Sequence, residues 1–172
     1  MQIGSERIAT VAAAPEVRLI DGRADRLDER GLRQRARSIS GAAGAQYVSR
    51  SYRHPYALVA WYAGPVGIDI ELVEPCDAAF ARSICTPAEI VTWATLADPH
   101  TYFSSMWSSK EALAKALGDA VSYDPRRLEA PMLWPAGRAG PWHAMQLTVV
   151  EGHVAWLCWR PRSSPGVGAE FT

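Results

Sequence analysis

An α+β fold with an antiparallel sheet is predicted by three features of this 172-residue chain. Three strand-like runs follow one another between residues 47 and 72. Two helix starts with explicit capping chemistry stand at Thr86 and Asp98, and the chain closes on a hairpin turning at Glu151-Gly152. Short helices mixed with hairpins, without a regular strand–helix–strand alternation, favour antiparallel pairing.

Each element follows from local chemistry. Residues 27–39 (LDERGLRQRARSI) predict a short Arg-rich helix, stopped by the Gly41–Gly44 segment. Strands are expected at Tyr47–Tyr52, Tyr56–Tyr62 and Val66–Leu72, with Ala63-Gly64-Pro65 as the last break and Pro75 ending the sheet segment. Thr86-Pro87-Ala88-Glu89 is a capping box with proline at the first helical position, which predicts a helix to about Leu96. Asp98-Pro99 opens another, with Gly118 as its C-terminal stop. The runs HAMQLTVV and HVAWLCWR form the closing hairpin.

Composition narrows the class. With 48% apolar residues the chain can bury a core, as one domain or as two small packed halves. A formal net charge of zero argues against capture of nucleic acid or membrane by bulk electrostatics. Residues 1–55 nevertheless carry ten arginines against six acids, either a solvated face or a basic margin for a phosphorylated ligand. Cys76, Cys85 and Cys158 contain no CxxC pair, so a disulfide framework or zinc site is not expected and a reducing compartment is. The N-terminal apolar patch has no basic leader and no run reaches transmembrane length, so the expected location is cytoplasmic. Trp93, Trp107, Trp156 and Trp159 are read as core.

Two places carry chemistry. In Val66-Gly67-Ile68-Asp69-Ile70-Glu71, strand alternation sends Asp69 and Glu71 to one face and Ile68 and Ile70 to the other. Carboxylates at i and i+2 repel unless a cation lies between them, and Mg²⁺ is the usual hard-metal solution. Alone, the pair reads equally as the wet face of an amphipathic strand. The second place is the helix after Thr101. Phe103, Met106, Trp107, Leu113, Ala114 and Leu117 fall on one apolar stripe, with Lys110 in its middle and Glu111 and Lys115 at its edge. A lysine on a buried stripe needs an anion or an escape route for its ammonium.

The chain has sixteen arginines and only two lysines, and the lysines are Lys110 and Lys115. A bias that turned every other basic site to arginine left these two as compact ammonium donors. Three carboxylates (Asp69, Glu71, Glu111) and two lysines suit a metal-held pyrophosphate undergoing phosphoryl transfer.

These residues resemble the signature of the 4′-phosphopantetheinyl transferase superfamily. Its Gly-x-Asp-x-Glu strand reads Gly67-Ile-Asp69-Ile-Glu71, and its Trp-x-x-Lys-Glu-Ala-x-x-Lys helix reads Trp107-Ser-Ser-Lys110-Glu111-Ala-Leu-Ala-Lys115. Thr86–Glu89 is similar to the helix start found between them. The resemblance covers roughly Tyr47 to Leu117. It implies that Asp69, Glu71 and Glu111 hold Mg²⁺ on the pyrophosphate of coenzyme A, that Lys110 and Lys115 contact its phosphates, and that Trp107 packs the site. A serine of an apo acyl or peptidyl carrier protein would attack the β-phosphate and release 3′,5′-ADP, with Glu111 or a metal-bound water as base.

Asp69 lies far from residue 1, which resembles the monomeric Sfp-type class rather than the trimeric holo-acyl-carrier-protein-synthase class. That class implies two pseudo-symmetric halves, antiparallel sheets packed on helices, divided here as 1–64 and 65–172, with a shortened N-terminal half. Its usual Ser-His-Ser reads Ser49-Arg50-Ser51, with His54 three residues on. Arg50 is therefore expected to take the 3′-phosphate in place of histidine, an arginine being able to bind phosphate bidentately, with Ser51 and His54 beside it. The alternative is a coenzyme A or carrier-protein binding paralogue without efficient turnover.

Overall fold

Four layers, helix on sheet on sheet on helix, carry the chain in the computed structural model, which describes residues 14–162. Residues 1–13, which include Arg7 and most of the N-terminal apolar patch, and residues 163–172 lie outside the described part. The first sheet has the order β1 (Glu16–Asp21), β3 (Tyr56–Tyr62), β2 (Tyr47–Arg53). The second has the order β4 (Val66–Leu72), β7 (His153–Trp159), β6 (Trp142–Leu147), β5 (Arg138–Ala139). All pairings are antiparallel, as the sequence predicts.

Period-two alternation sorts the strands between the layers. Ala57 and Val59 of β3 face helix α1 (Glu29–Ala42), where Leu32 and Ala36 meet them with Ile20 of β1. Tyr56, Leu58 and Ala60 face the other way, onto Val66, Ile68 and Ile70 of β4 and Ala155 and Leu157 of β7. This inter-sheet layer frees the opposite face of β4, with Gly67, Asp69 and Glu71, to meet the long helix α4 (Pro99–Leu117). Two short helices, α2 (Ala78–Ile84) and α3 (Pro87–Trp93), close over α4 through Ala81, Ile84, Cys85, Phe103 and Met106.

Capping chemistry fixes the helix starts. Asp28, Asp77, Thr86 and Asp98 each accept a backbone N–H of their own first turn, and Thr86 and Glu89 complete the expected capping box. Gly118 ends α4 at φ +81°, a left-handed cap that favours glycine.

Several boundaries depart from the sequence expectations. The helix expected at 27–39 runs Glu29–Ala42, because Gly41 on its exposed side costs too little to stop it. The capping-box helix ends at Trp93 rather than Leu96. Strand β1 and helix α2 were not anticipated, the first lacking clean alternation and the second too short for an apolar period. Leu117 is exposed rather than on the buried stripe. The three cysteines are buried free thiols. Among the described residues no helix is long and apolar enough to cross a membrane.

Candidate active site

The crossing of β4 under α4 is set by Gly67. A Cβ there would lie 1.9 Å from the Ala112 carbonyl oxygen, so only glycine allows the strand this close to the helix backbone. One pleat further along, Asp69 enters the gap and is almost wholly buried. Lys115, three helical residues past Ala112, reaches down to it. Its Nζ stands 2.6 Å from Asp69 Oδ1 and donates also to the Ile68 carbonyl at 3.2 Å. Lys115 thus pairs with Asp69 across the layers rather than along its helix with Glu111. With 23% of its side chain exposed, it keeps a route to a ligand.

The edge of β4 is finished by side chains of β2. Ser49 Oγ accepts the Ile68 N–H at 3.0 Å, and Ser51 Oγ accepts the Ile70 N–H at 3.3 Å. Ser51 also donates to Asp69 Oδ1 at 2.8 Å. The serines at i and i+2 therefore satisfy free edge amides of the second sheet and stitch it to the first. Ser51, expected at the coenzyme A phosphates, is placed here as a partner of Asp69. Continuing the same alternation, Arg53 points the same way and holds Glu71 Oε2 at 2.9 Å and Glu74 Oε2 at 3.3 Å. Extending the Ser49, Ser51 period by one more step would have found it from the sequence.

Arg50 lies on the other face of β2. Its guanidinium turns to α1 and donates to Ser40 Oγ, through Nε at 2.8 Å and through Nη2. Alternation thus separates Arg50, expected at the 3′-phosphate, from Ser49, Ser51 and Arg53. His54 sits in the β2–β3 turn, where Nε2 meets the Leu27 carbonyl at 2.9 Å. It lines a small polar cleft with Arg33, Tyr52 and Arg53, away from Asp69.

Lys110 also departs from expectation. It is fully buried, and its Nζ lies 2.6 Å from Glu89 Oε2, 3.0 Å from the Ile84 carbonyl and 2.9 Å from the Pro125 carbonyl. All three N–H donors are spent inside the protein, which leaves none for a phosphate. Glu89 is equally occupied. Oε2 also accepts the Thr86 N–H at 2.7 Å, and Oε1 accepts the Ala130 N–H at 2.9 Å. The capping-box glutamate is therefore also the counter-ion of the buried lysine, joining α2, α3, α4 and the segment after α4.

Glu111 faces Asp69 from α4. Its Oε1 accepts the hydroxyl of Tyr123 at 2.6 Å, a contact no local sequence signal announces. Burial raises the Glu111 carboxyl above its ordinary range, and Asp69 adds to this, against the opposing hydrogen bond from Tyr123 and the charge of Lys115. Glu71 is pushed up to about 7, first by desolvation and then by Asp69, with Arg53, Lys115 and Trp107 pulling the other way. A cleft of about 250 Å³ opens beside it, lined by Arg53, Glu71, Phe80, Phe103 and Trp107.

The donor set tests well for a hard cation. Asp69 Oδ2 is buried without a hydrogen-bond partner, and the Asp69 charge disfavours ionisation of both Glu71 and Glu111. As placed, with Lys115 and Arg53 drawn onto the carboxylates, no group of three or more His, Cys, Asp or Glu among the described residues is close enough to hold an ion. A dication would replace those two cationic partners.

The family model that the chain matches falls on this same region. Residues 65–139 match the family model of the 4′-phosphopantetheinyl transferase superfamily. Over 63 residues the chain is 40% identical to 4′-phosphopantetheinyl transferase psf-1 of Bacillus pumilus, an alignment covering 34% of this chain and 26% of that protein. The matched part thus spans about a quarter of the curated relative's length.

Proposed function

From the similarity of residues 65–139 to that superfamily, we propose that this chain transfers the 4′-phosphopantetheine arm of coenzyme A to a serine of an apo acyl or peptidyl carrier protein. The observation that carries the reading is the convergence of Asp69, Glu71, Glu111 and Lys115 at the β4–α4 crossing, within the matched stretch. Asp69, Glu71 and Glu111 would hold Mg²⁺, which when bound supplies charge neutralisation for the pyrophosphate. Lys115, drawn off Asp69, offers its ammonium to the phosphate oxygens as charge moves onto the leaving group.

In the reaction the serine Oγ forms a bond to the β-phosphorus. The bridging bond to the α-phosphate breaks, and its electron pair leaves with 3′,5′-ADP. Glu111 in its ionised form, or a water beside it, would accept the serine proton. Ser51 keeps Asp69 oriented, and Trp107, Phe80 and Phe103 line the cleft beside Glu71.

The Sfp-type arrangement, with halves dividing near residues 64 and 65 and one coenzyme A per monomer, is part of the proposal. The reading of a binding paralogue without turnover draws on Arg50, whose guanidinium is tied to Ser40. Release of 3′,5′-ADP separates the two. Release that needs both apo carrier protein and a divalent ion supports transfer, whereas coenzyme A binding without release supports the paralogue.

A further inference from the structure

We propose that Tyr123 is a positioning residue of this site, holding the Glu111 carboxylate in one orientation for metal and serine; the inference rests on the transferase reading given above. Its hydroxyl donates to Glu111 Oε1 at 2.6 Å, a short charge-assisted bond that engages only one of the two carboxylate oxygens. The phenol is a permanent donor.

Tyr123 is itself held in place from both sides. Its own N–H bonds the Asp119 carbonyl at 3.2 Å, just past the glycine cap of α4. Two residues on, the Pro125 carbonyl accepts Lys110 Nζ at 2.9 Å, and the Ala130 N–H is fixed by Glu89. The buried Lys110–Glu89 pair therefore anchors the segment that carries Tyr123 back over α4, one residue of the helix away from Glu111. This gives Lys110 an effect on the site without any contact to a phosphate. Partners of this kind behind metal-binding side chains commonly affect affinity or activity by about ten- to a hundredfold.

The test is Tyr123→Phe, which removes one oxygen and keeps the ring. Mn²⁺ binding followed by electron paramagnetic resonance, without coenzyme A, should weaken by about tenfold. Transfer should lose a similar factor in kcat with little change in KM for coenzyme A, and circular dichroism should be unchanged. In a Glu111→Gln background, Tyr123→Phe should add nothing further, because Tyr123 acts through Glu111. Equal Mn²⁺ affinity in wild type and Tyr123→Phe, no Mn²⁺ binding by the wild type, or an additive double variant would overturn the inference. A wild type that binds Mn²⁺ through the Tyr123-supported site but transfers nothing would instead overturn the transferase reading and leave the positioning role standing.

Discussion

The ammonium of Lys110 and the carboxylate of Glu89 neutralise each other where no water reaches, whereas Lys115 sits at the rim with Asp69. Removing one member of a buried pair strands the other charge. Lys110→Met should therefore cost about 3–5 kcal/mol in urea unfolding, and adding Glu89→Gln should recover part of it. A phosphate-binding role for Lys110 would instead leave stability intact and weaken coenzyme A binding. Asp69→Asn should keep the fold and cost on the order of a hundredfold or more in transfer, since it removes an anionic oxygen without opening a cavity. Near-normal turnover of that variant would remove Asp69 from the metal assignment. The carboxylate pair was legible because strand alternation is a property of the backbone itself, and Asp69 and Glu71 share the face it assigns them. Tyr123 was not, because its contact with Glu111 bridges a helix end and a loop that follow no period.

Among the elements, α4 shows how far a hydrophobic stripe can mislead. Its buried set includes Ser104, Ser105, Ser108 and Ser109 as well as the apolar stripe, because sheet and short helices enclose it from both sides. Two of them find partners there, Ser105 accepting the Trp156 indole N–H at 2.8 Å and Ser109 donating to the Met106 carbonyl at 2.8 Å, while Ser108 Oγ is buried without one. Capped ends were readable, since Thr86 and Glu89 or Asp98 and Gly118 act within one turn. Strand β1 was not, because EVRLID gains its place only by pairing with β3. The β4–α4 contact makes its own prediction. Gly67→Ala puts a methyl into the Ala112 carbonyl and should cost about 3 kcal/mol in unfolding, with loss of transfer as Asp69 and Lys115 separate. Unchanged stability would mean that strand and helix do not approach this closely.

For the molecule as a whole, charge around the site links stability to pH. The folded-state pKa of Glu71 is raised from 4.5 to about 7, so the folded protein holds this proton more tightly than the unfolded chain does. Its contribution is present in full below about pH 4.5 and is lost as pH rises through 7. Without metal, thermal stability should therefore fall over that window more steeply in the wild type than in Glu71→Gln. Equal slopes would show that Glu71 is not held in a desolvated, acid-rich setting. The Sfp-type proposal also predicts a monomer in light scattering, and a trimer would overturn that part of it. Most directly, the central claim is tested by the intact mass of apo carrier proteins after incubation with coenzyme A and Mg²⁺. The account predicts that a carrier gains one phosphopantetheine with the wild type and none with Asp69→Asn. A panel of acyl and peptidyl carriers that all stay unmodified with the wild type, or a mutant that modifies them as well, would contradict it.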